Sequence, residues 1–329
     1  MAELVLGVGA SHSPMVTMDG ADWLEWGQRD LKHPMLYTLD GIHVTYEQRL
    51  AAVGDTKVAL AEPDVTRAGA ERVQVAVAAV RRAISDARPD VVVIVGDDQD
   101  EQLLADNLPP FLVYWGDTID NGAIENFDGL PPLAQHYLPG YKETDGRRTY
   151  RVAADLARHL LTVAADEGFD VAASRQLPRE EEGMGHAFAF PVRRLIEGDV
   201  PIVPVMVNTY NPPAQPRAGR CAAFGAMLRR AIESWPADQR VVVLASGGLS
   251  HFLVEEDLDR SVLAALERND LAAVTSLPEA TFTAGTSEIK NWIAVAAACA
   301  DRRFEVLDYV PGYRTPAATG TGLAFALWR

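Results

Sequence analysis

Continuous runs of valine, isoleucine and leucine, separated by helix-like segments, constrain the fold of this chain most strongly. The runs predict strands at residues 4–8, 91–95, 111–114, 171–174, 202–207 and 241–245. The segments between them predict helices at residues 68–87, 150–166, 216–233, 258–267 and 287–300. Strands without polar alternation are buried on both faces, so the pattern predicts an α/β fold with helices on both sides of a sheet. Such sheets bind ligands at the carboxyl ends of their strands.

Residues 15–62 interrupt this alternation and show no strong hydrophobic period. They hold several aromatic and histidine side chains, among them Trp23, Trp26, His33 and His43. A long irregular insertion in a compact domain is usually a lid, a binding loop or an oligomer contact. No linker-like stretch divides the chain, so we predict a single domain over residues 1–329, with a lid or subunit contact at 15–62.

Composition excludes several classes of function. The net charge of −16 argues against a nucleic-acid partner and against docking on an anionic membrane. No stretch reaches the roughly 18 apolar residues of a membrane helix, and the N-terminal residues lack the basic segment of a signal peptide. Cys221 and Cys299 are too few for a disulfide framework or a cysteine-based zinc site. We therefore expect a cytoplasmic protein without a membrane partner.

Polar side chains follow four of the predicted strands. His12 comes just after the first apolar run, and a carboxylate cluster at residues 97–101, which includes Gln99, follows the second. His251 comes after the run at 241–245 and two glycines, which permit a tight turn and close approach of the backbone to a ligand. Asn208 follows the run at 202–207. These groups are expected to meet at one edge of the sheet.

Two further positions hold side chains that could bind a metal or transfer a proton. His186 lies in a glycine-rich loop, and Glu288 lies in the first turn of a predicted helix. Glu288 alone is explained equally by the helix dipole, and His186 by a solvated loop. Together, His12, the 97–101 cluster and Glu288 offer nitrogen and oxygen ligands that suit Fe(II), Mn(II) or Zn(II). His186 and His251 are then left as acid–base groups.

The remaining histidines are interpreted differently. His33, His136 and His159 lie in ordinary polar or helical contexts and are predicted to be structural.

These motifs resemble those of the class III (LigB-type) extradiol ring-cleaving dioxygenases. The segment ASHSP at residues 10–14 resembles the family's first iron-ligand motif, and SGGLSH at 246–251 resembles its catalytic-histidine motif. GHAFA at 185–189 resembles the second histidine loop, and SEIKNW at 287–292 the helix of the third ligand. The resemblance implies a LigB-like fold with a central mixed, largely parallel sheet. The overall layout looks closest to single-chain members that act on substituted catechols and gallate-type phenols.

One position departs from the family pattern. The family's second ligand is usually a histidine, whereas this chain has Gln99 after Asp97 and Asp98. Gln99 is then the expected ligand, through its weaker neutral oxygen. Alternatively a nearby carboxylate, Asp97, Asp98 or Glu101, replaces it, or the iron site is degraded. His43 is a further candidate for the missing imidazole.

The resemblance implies an Fe(II) enzyme that uses O2 to open the ring of a small aromatic substrate. His251 and His186 would transfer protons, and Ser13, Asn208 and Lys290 would contact the substrate. Lys290, Arg193 and Arg217 are alternative partners for a substrate carboxylate.

Two other functions stay open at this point. The first, favoured by Gln99, is a non-oxidative metal-dependent hydrolase or C–C lyase on the same scaffold. The second is a non-catalytic subunit or binding protein. We expect a homo-oligomer, and a chain that is active without a small partner subunit.

Overall fold

Eight strands form one mixed sheet in the computed structural model, which describes residues 1–329. In chain order the strands are β1 Glu3–Ala10, β2 Val91–Gly96, β3 Phe111–Tyr114, β4 Thr118–Asn121, β5 Arg148–Arg151, β6 Ala172–Ser174, β7 Ile202–Val207, β8 Arg240–Ser246, β9 Phe304–Tyr313 and β10 Gly320–Trp328. The large sheet has the order β6-β3-β7-β2-β8-β1-β10-β9, and β4 pairs with β5 separately. Pairs β1–β8, β8–β2, β2–β7 and β3–β6 are parallel, while β3–β7, β1–β10 and β9–β10 are antiparallel. The predicted mixed, largely parallel sheet is confirmed.

Helices cover both faces of this sheet. They are α1 Gly20–Asp30, α2 Tyr46–Val53, α3 Pro63–Ala87, α4 Pro132–Tyr137, α5 Ala154–Asp166, α6 His186–Phe190, α7 Ala218–Ser234, α8 Glu256–Glu267, α9 Leu271–Thr275 and α10 Ile289–Ala298. Val91, Val93 and Val95 of β2 pack into one apolar cluster with α5, α7 and α10. Val92 and Ile94 pack into a second cluster with α1, α3 and α6. Burial of both faces explains why the strand carries no polar alternation.

The helices and strands differ from the sequence-based prediction at several places. Tyr150 was expected to begin a helix, but residues 148–151 pair with β4 and the helix begins at Ala154. Strands β4, β9 and β10 and helices α4, α6 and α9 were not predicted from the sequence. Residues 15–62, expected to be irregular, contain α1 and α2. None of the helices is both long and apolar enough to cross a membrane.

The three central parallel strands end at the same edge of the sheet. Ala10 of β1 lies opposite Ser246 of β8, and Val95 of β2 lies opposite Ala245. The segments that leave these strands are therefore brought side by side. Helix α10 packs against the same three strands and begins immediately after Glu288. The fold thus gathers the polar residues of four distant segments at one edge.

Candidate metal centre and active-site pocket

His12 leaves the end of β1 with its ring fixed at one nitrogen. Nδ1 lies 2.9 Å from Oγ of Ser246, the last residue of β8, and the two share a hydrogen bond. Tyr141 donates its hydroxyl to the backbone carbonyl of His12. The side chain is buried, and the second nitrogen, Nε2, faces the neighbouring site residues.

Glu288 is a fully buried carboxylate at the centre of the site. Its Oε1 lies 3.0 Å from Nε2 of His251, and its Oε2 lies 3.3 Å from Nε2 of His12. The backbone N–H of Gly248 donates to Oε2, which explains why the turn after β8 needs a close approach of backbone. Burial alone would raise the pKa of Glu288. The charge interactions and hydrogen bonds with His251 and His12 instead hold this pKa well below its usual range.

His186 opens α6 and is oriented by a carboxylate. Glu101 accepts hydrogen bonds from the backbone N–H of His186, at 3.0 Å, and from its ring Nδ1. Although burial disfavours the imidazolium, the Glu101 charge raises the pKa of His186 to about 10. The other nitrogen, Nε2, lies 3.1 Å from Nε2 of His12. Glu101 is thus committed to His186.

Three side chains form a donor set that fits a metal ion. One ligand atom from each of His12, His186 and Glu288 lies within 4.8 Å of the other two. Two imidazole nitrogens and a carboxylate oxygen match the two-histidine, one-carboxylate set of non-haem Fe(II) enzymes. The pairing of Glu101 with the far nitrogen of His186 is the carboxylate–histidine contact that commonly orients a metal-binding ring.

Gln99 lies beside the same carboxylate but presents its amide nitrogen. Nε2 donates to Oε1 of Glu288 at 2.9 Å and to Oδ2 of Asp97 at 3.2 Å. Two carboxylate oxygens can only accept, so this orientation of the amide follows from its neighbours. Burial, followed by the charge of Glu288, raises the pKa of Asp97 to about 6. Gln99 therefore bridges two buried carboxylates in this arrangement.

His251 is held in place at both of its ring nitrogens. Nδ1 donates to the carbonyl oxygen of Leu249 at 2.9 Å, and Nε2 faces Glu288. Both partners only accept hydrogen bonds, and the pKa of His251 is accordingly raised against the effect of burial. Gly285 packs against the ring so closely that an added Cβ would lie 2.0 Å from Cδ2 of His251.

A cavity of about 330 Å³ opens over these residues. It is lined by His12, Ser13, Pro14, Trp26, His33, Gln99, Glu101, His186, His251, Phe252, Glu288, Arg314 and Thr321. Trp26 and His33 come from the 15–62 segment, and His33, expected to be structural, packs its ring 4.0 Å from that of Phe252. Trp26, Phe252, Arg314 and Thr321 were not identified from the sequence; the aromatic content of the insertion was the only signal for any of them.

Several predicted site residues lie away from this cavity. His43 is exposed and bonds the carbonyl of Pro34, and Asp98 accepts backbone N–H bonds from the loop at 101–103. Asn208 closes a turn with Asn211. Ser13, in contrast, lines the cavity as expected for a residue that contacts the substrate.

The basic residues considered for substrate binding also lie elsewhere. Lys290 is buried and paired with Glu279, and Arg193 is paired with Glu143. Arg217 precedes α7 and does not line the cavity.

The chain matches a known protein family over most of its length. The family model described as the catalytic LigB subunit of aromatic ring-opening dioxygenase matches residues 58–324. Gallate dioxygenase of Pseudomonas putida is 41% identical over 103 residues, which are 30% of this chain and 28% of that protein. The 2,3-dihydroxyphenylpropionate/2,3-dihydroxicinnamic acid 1,2-dioxygenase of Comamonas testosteroni is 28% identical over 180 residues, 54% of this chain and 47% of that protein. The enzyme of the same name from Rhodococcus rhodochrous is 33% identical over 168 residues, 50% of this chain and 44% of that protein. The matched segments span less than half of these relatives' own lengths.

Proposed function

Because the chain belongs to the family of catalytic LigB subunits of aromatic ring-opening dioxygenases, we propose that it is an Fe(II)-dependent extradiol dioxygenase. It uses O2 to open the ring of a catechol- or gallate-type phenol. The observation that carries this proposal is the set of His12, His186 and Glu288, gathered within 4.8 Å inside a cavity large enough for a small aromatic molecule. The names of the relatives, which refer to gallate and 2,3-dihydroxyphenylpropionate, support a phenol with neighbouring hydroxyls.

His12, His186 and Glu288 would hold the iron. This set differs from the expectation in which Gln99 was a ligand and His186 an acid–base group. It is supported by the orientation of Gln99, whose amide nitrogen faces Glu288, and by the commitment of Glu101 to His186. When bound, Fe(II) supplies the redox chemistry that brings O2 and the ring to react. Mn(II) would suit the same ligands, whereas Zn(II) has no redox chemistry to offer.

His251 is the proton-transfer residue of this proposal. The carbonyl of Leu249 holds its Nδ1–H, so Nε2 is the nitrogen that exchanges a proton with a substrate hydroxyl. An imidazole can both accept and return a proton near neutral pH, as ring opening requires. Gln99 and the N–H of Gly248 keep the Glu288 carboxylate oriented beside it.

Residues 15–62 act in this proposal as a lid within a single catalytic domain of residues 1–329. Trp26 and His33 line the cavity, and α1, which carries Trp26, packs against α3 and α4. The aromatic faces of Trp26 and Phe252 provide apolar surface for a ring and displace water from it.

The proposal is tested by loading the protein with Fe(II) without oxygen and adding a panel of vicinal diphenols and triphenols. O2 uptake with one O2 consumed per ring opened is expected, accompanied by loss of the aromatic absorbance. His12→Ala is expected to be inactive, and His159→Ala, a surface histidine bonded to Ser234, to be active. Iron-loaded protein that consumes no O2 with any compound contradicts the proposal. Turnover under argon with Zn(II) or Mn(II) would instead support a hydrolase or lyase.

Cytoplasmic location and homo-oligomerisation stay predictions from the sequence. Both cysteines, Cys221 and Cys299, are free and buried, which accords with a reducing compartment. Sizing of the purified protein by light scattering tests the oligomeric state.

A further inference from the structure

Arg314 is the only lysine or arginine that lines the active-site cavity. The lining carboxylates are Glu101 and Glu288, each paired with a histidine of the site, and the Asp97 carboxylate is bonded to Gln99 beneath them. The whole chain carries a net charge of −16. Away from the proposed metal ligands and His251, Arg314 is therefore the cation of the cavity that can stabilise an anionic group on a substrate.

Much of the hydrogen-bonding capacity of Arg314 is unused. Its side chain is buried and its Nε donates to Oδ2 of Asp30, the last residue of α1, at 2.8 Å. Nη1 contacts only the sulfur of Met15, at 3.9 Å, and Nη2 has no partner. A guanidinium offers five N–H donors in a planar fork that matches a carboxylate. Neither Nη of Arg314 has an oxygen acceptor, so the residue can serve a second anion.

His33 adds a neutral donor close to Arg314. Its Nδ1 accepts the backbone N–H of Met35 at 3.1 Å, which leaves the ring proton on Nε2. Burial, partly offset by the charge of Asp30, lowers the pKa of His33, and the accepting Nδ1 fits a neutral ring. Nε2–H has no partner of its own in the protein. The ring rests on Phe252, whose own ring lies 5.3 Å from that of His251.

We propose that Arg314 and the Nε2–H of His33 form an acid subsite that binds a carboxylate on the substrate ring. The substrate class is then an aromatic acid with neighbouring hydroxyls, held with its hydroxyls at the metal ligands and its carboxylate at the lid. This inference rests on the proposed ring-opening function and assigns to Arg314 the part that the sequence had suggested for Lys290, Arg193 or Arg217. It also gives the lid a role in recognition, because Asp30 and His33 both belong to it.

The acid subsite is tested with two ligands that differ by the carboxylate alone, gallate and pyrogallol. Dissociation constants are measured by calorimetry on the Fe(II)-loaded protein without O2, and ring opening is followed separately by O2 uptake. The test variant is Arg314→Gln/Asp30→Asn, which removes both charges and leaves no unpaired ion buried. Its matched control is Arg193→Gln/Glu143→Gln, which neutralises a similar pair outside the cavity. Arg314→Lys and His33→Phe complete the set.

The unmodified protein is expected to bind gallate about 10- to 100-fold more tightly than pyrogallol, the range for a charge-assisted hydrogen bond. Arg314→Gln/Asp30→Asn is expected to lose that preference while its affinity for pyrogallol changes little, and the control pair to keep it. Arg314→Lys, which preserves the charge and the fold, is expected to lose part of it because the fork is gone. His33→Phe, which keeps the ring and removes the donor, is expected to lose a smaller part.

Two results would overturn the inference. One is an unmodified protein that binds both ligands equally. The other is a preference for gallate that survives both Arg314→Lys and the neutralised pair. If ring opening of both compounds persists in either case, the acid subsite fails and the proposed function stands. If the preference for gallate depends on Arg314 but no compound supports O2 uptake, the proposed function fails and the acid subsite stands as a binding site.

Discussion

The Nε2 atoms of His12 and His186 lie 3.1 Å apart, with the Glu288 carboxylate 3.3 Å from the first of them. Two imidazole nitrogens at this distance need a shared proton or a cation between them, because their lone pairs otherwise repel. The far nitrogen of each ring is already committed, to Ser246 and to Glu101. The relationship therefore supports the proposal that both rings bind one ion.

Removal of His186 should release the metal more completely than removal of Gln99. Loss of an outer contact typically lowers metal affinity by about 10- to 100-fold, and Gln99→Ala is expected to fall in that range. His186→Ala removes a metal-binding atom, so its loss of iron affinity should be larger than that of Gln99→Ala. Iron content after anaerobic loading and desalting measures the difference, with His159→Ala as the control. A protein that keeps its iron without His186 and loses it without Gln99 contradicts the assignment.

Glu101 should act on the metal through His186. Glu101→Gln removes the charge that orients the ring through Nδ1, so iron affinity should fall by about 10- to 100-fold. Titration against a chelator gives the affinity. Glu182→Gln is the control, because Glu182 lies on the segment that leads into His186 and pairs with Arg179 at the surface. Equal affinities in the two variants would show that Glu101 does not orient a ligand.

Gly285→Ala should impair turnover while leaving most of the iron bound. The new Cβ would stand 2.0 Å from Cδ2 of His251, so the ring must leave its bonds to Leu249 and Glu288. Loss of a general acid–base group lowers kcat by about 100- to 10,000-fold. Gly219→Ala is the control, because nothing lies near that position. Normal kcat in Gly285→Ala would contradict the proton-transfer role of a fixed His251.

Asp259 should make stability fall as pH rises through mildly acidic values. Burial raises the pKa of Asp259 from 3.8 to about 6, against the hydrogen bonds from Ser250 and Tyr309. Between those values the folded protein holds a proton that the unfolded chain has released. The unfolding free energy of the unmodified protein therefore falls, by at most about 1.4 kcal/mol per pH unit.

Asp259→Asn lacks this titration, so its stability relative to the unmodified protein should rise across the window and level off above it. Urea unfolding at a series of pH values measures the difference. Asp257→Asn, on the same helix and exposed, is the control. A difference between Asp259→Asn and the unmodified protein that stays flat or declines across the window would contradict the raised pKa.

The sheet could be predicted from the sequence because its parallel strands are buried on both faces. The runs at 111–114 and 202–207 coincide with β3 and β7. Helix α1 escaped prediction because its buried positions include Gly20, Asp22, Gly27 and Asp30, so burial is not marked by apolar side chains. Strand β10 was missed for a similar reason, since it is buried at every position yet begins with the small residues 320–322 and not with a valine, isoleucine or leucine run.

The convergence of the site residues was also predictable, because parallel strands end at one edge of a sheet. The role of each residue within the site could not be predicted from the sequence. The amide of Gln99 is oriented by Glu288, which lies 189 positions away, and His186 reaches His12 across 174 positions. Arg314 follows an antiparallel strand that the hydrophobic pattern did not reveal. Such contacts depend on tertiary distance, which no local pattern records.

The most direct test is a crystal structure of the protein loaded with Fe(II) without O2, with the ion located by anomalous scattering. We expect Nε2 of His12, Nε2 of His186 and a carboxylate oxygen of Glu288 within bonding distance of the ion, and the amide nitrogen of Gln99 still on Glu288. An ion bonded to the Gln99 oxygen with His186 outside bonding distance would contradict the account.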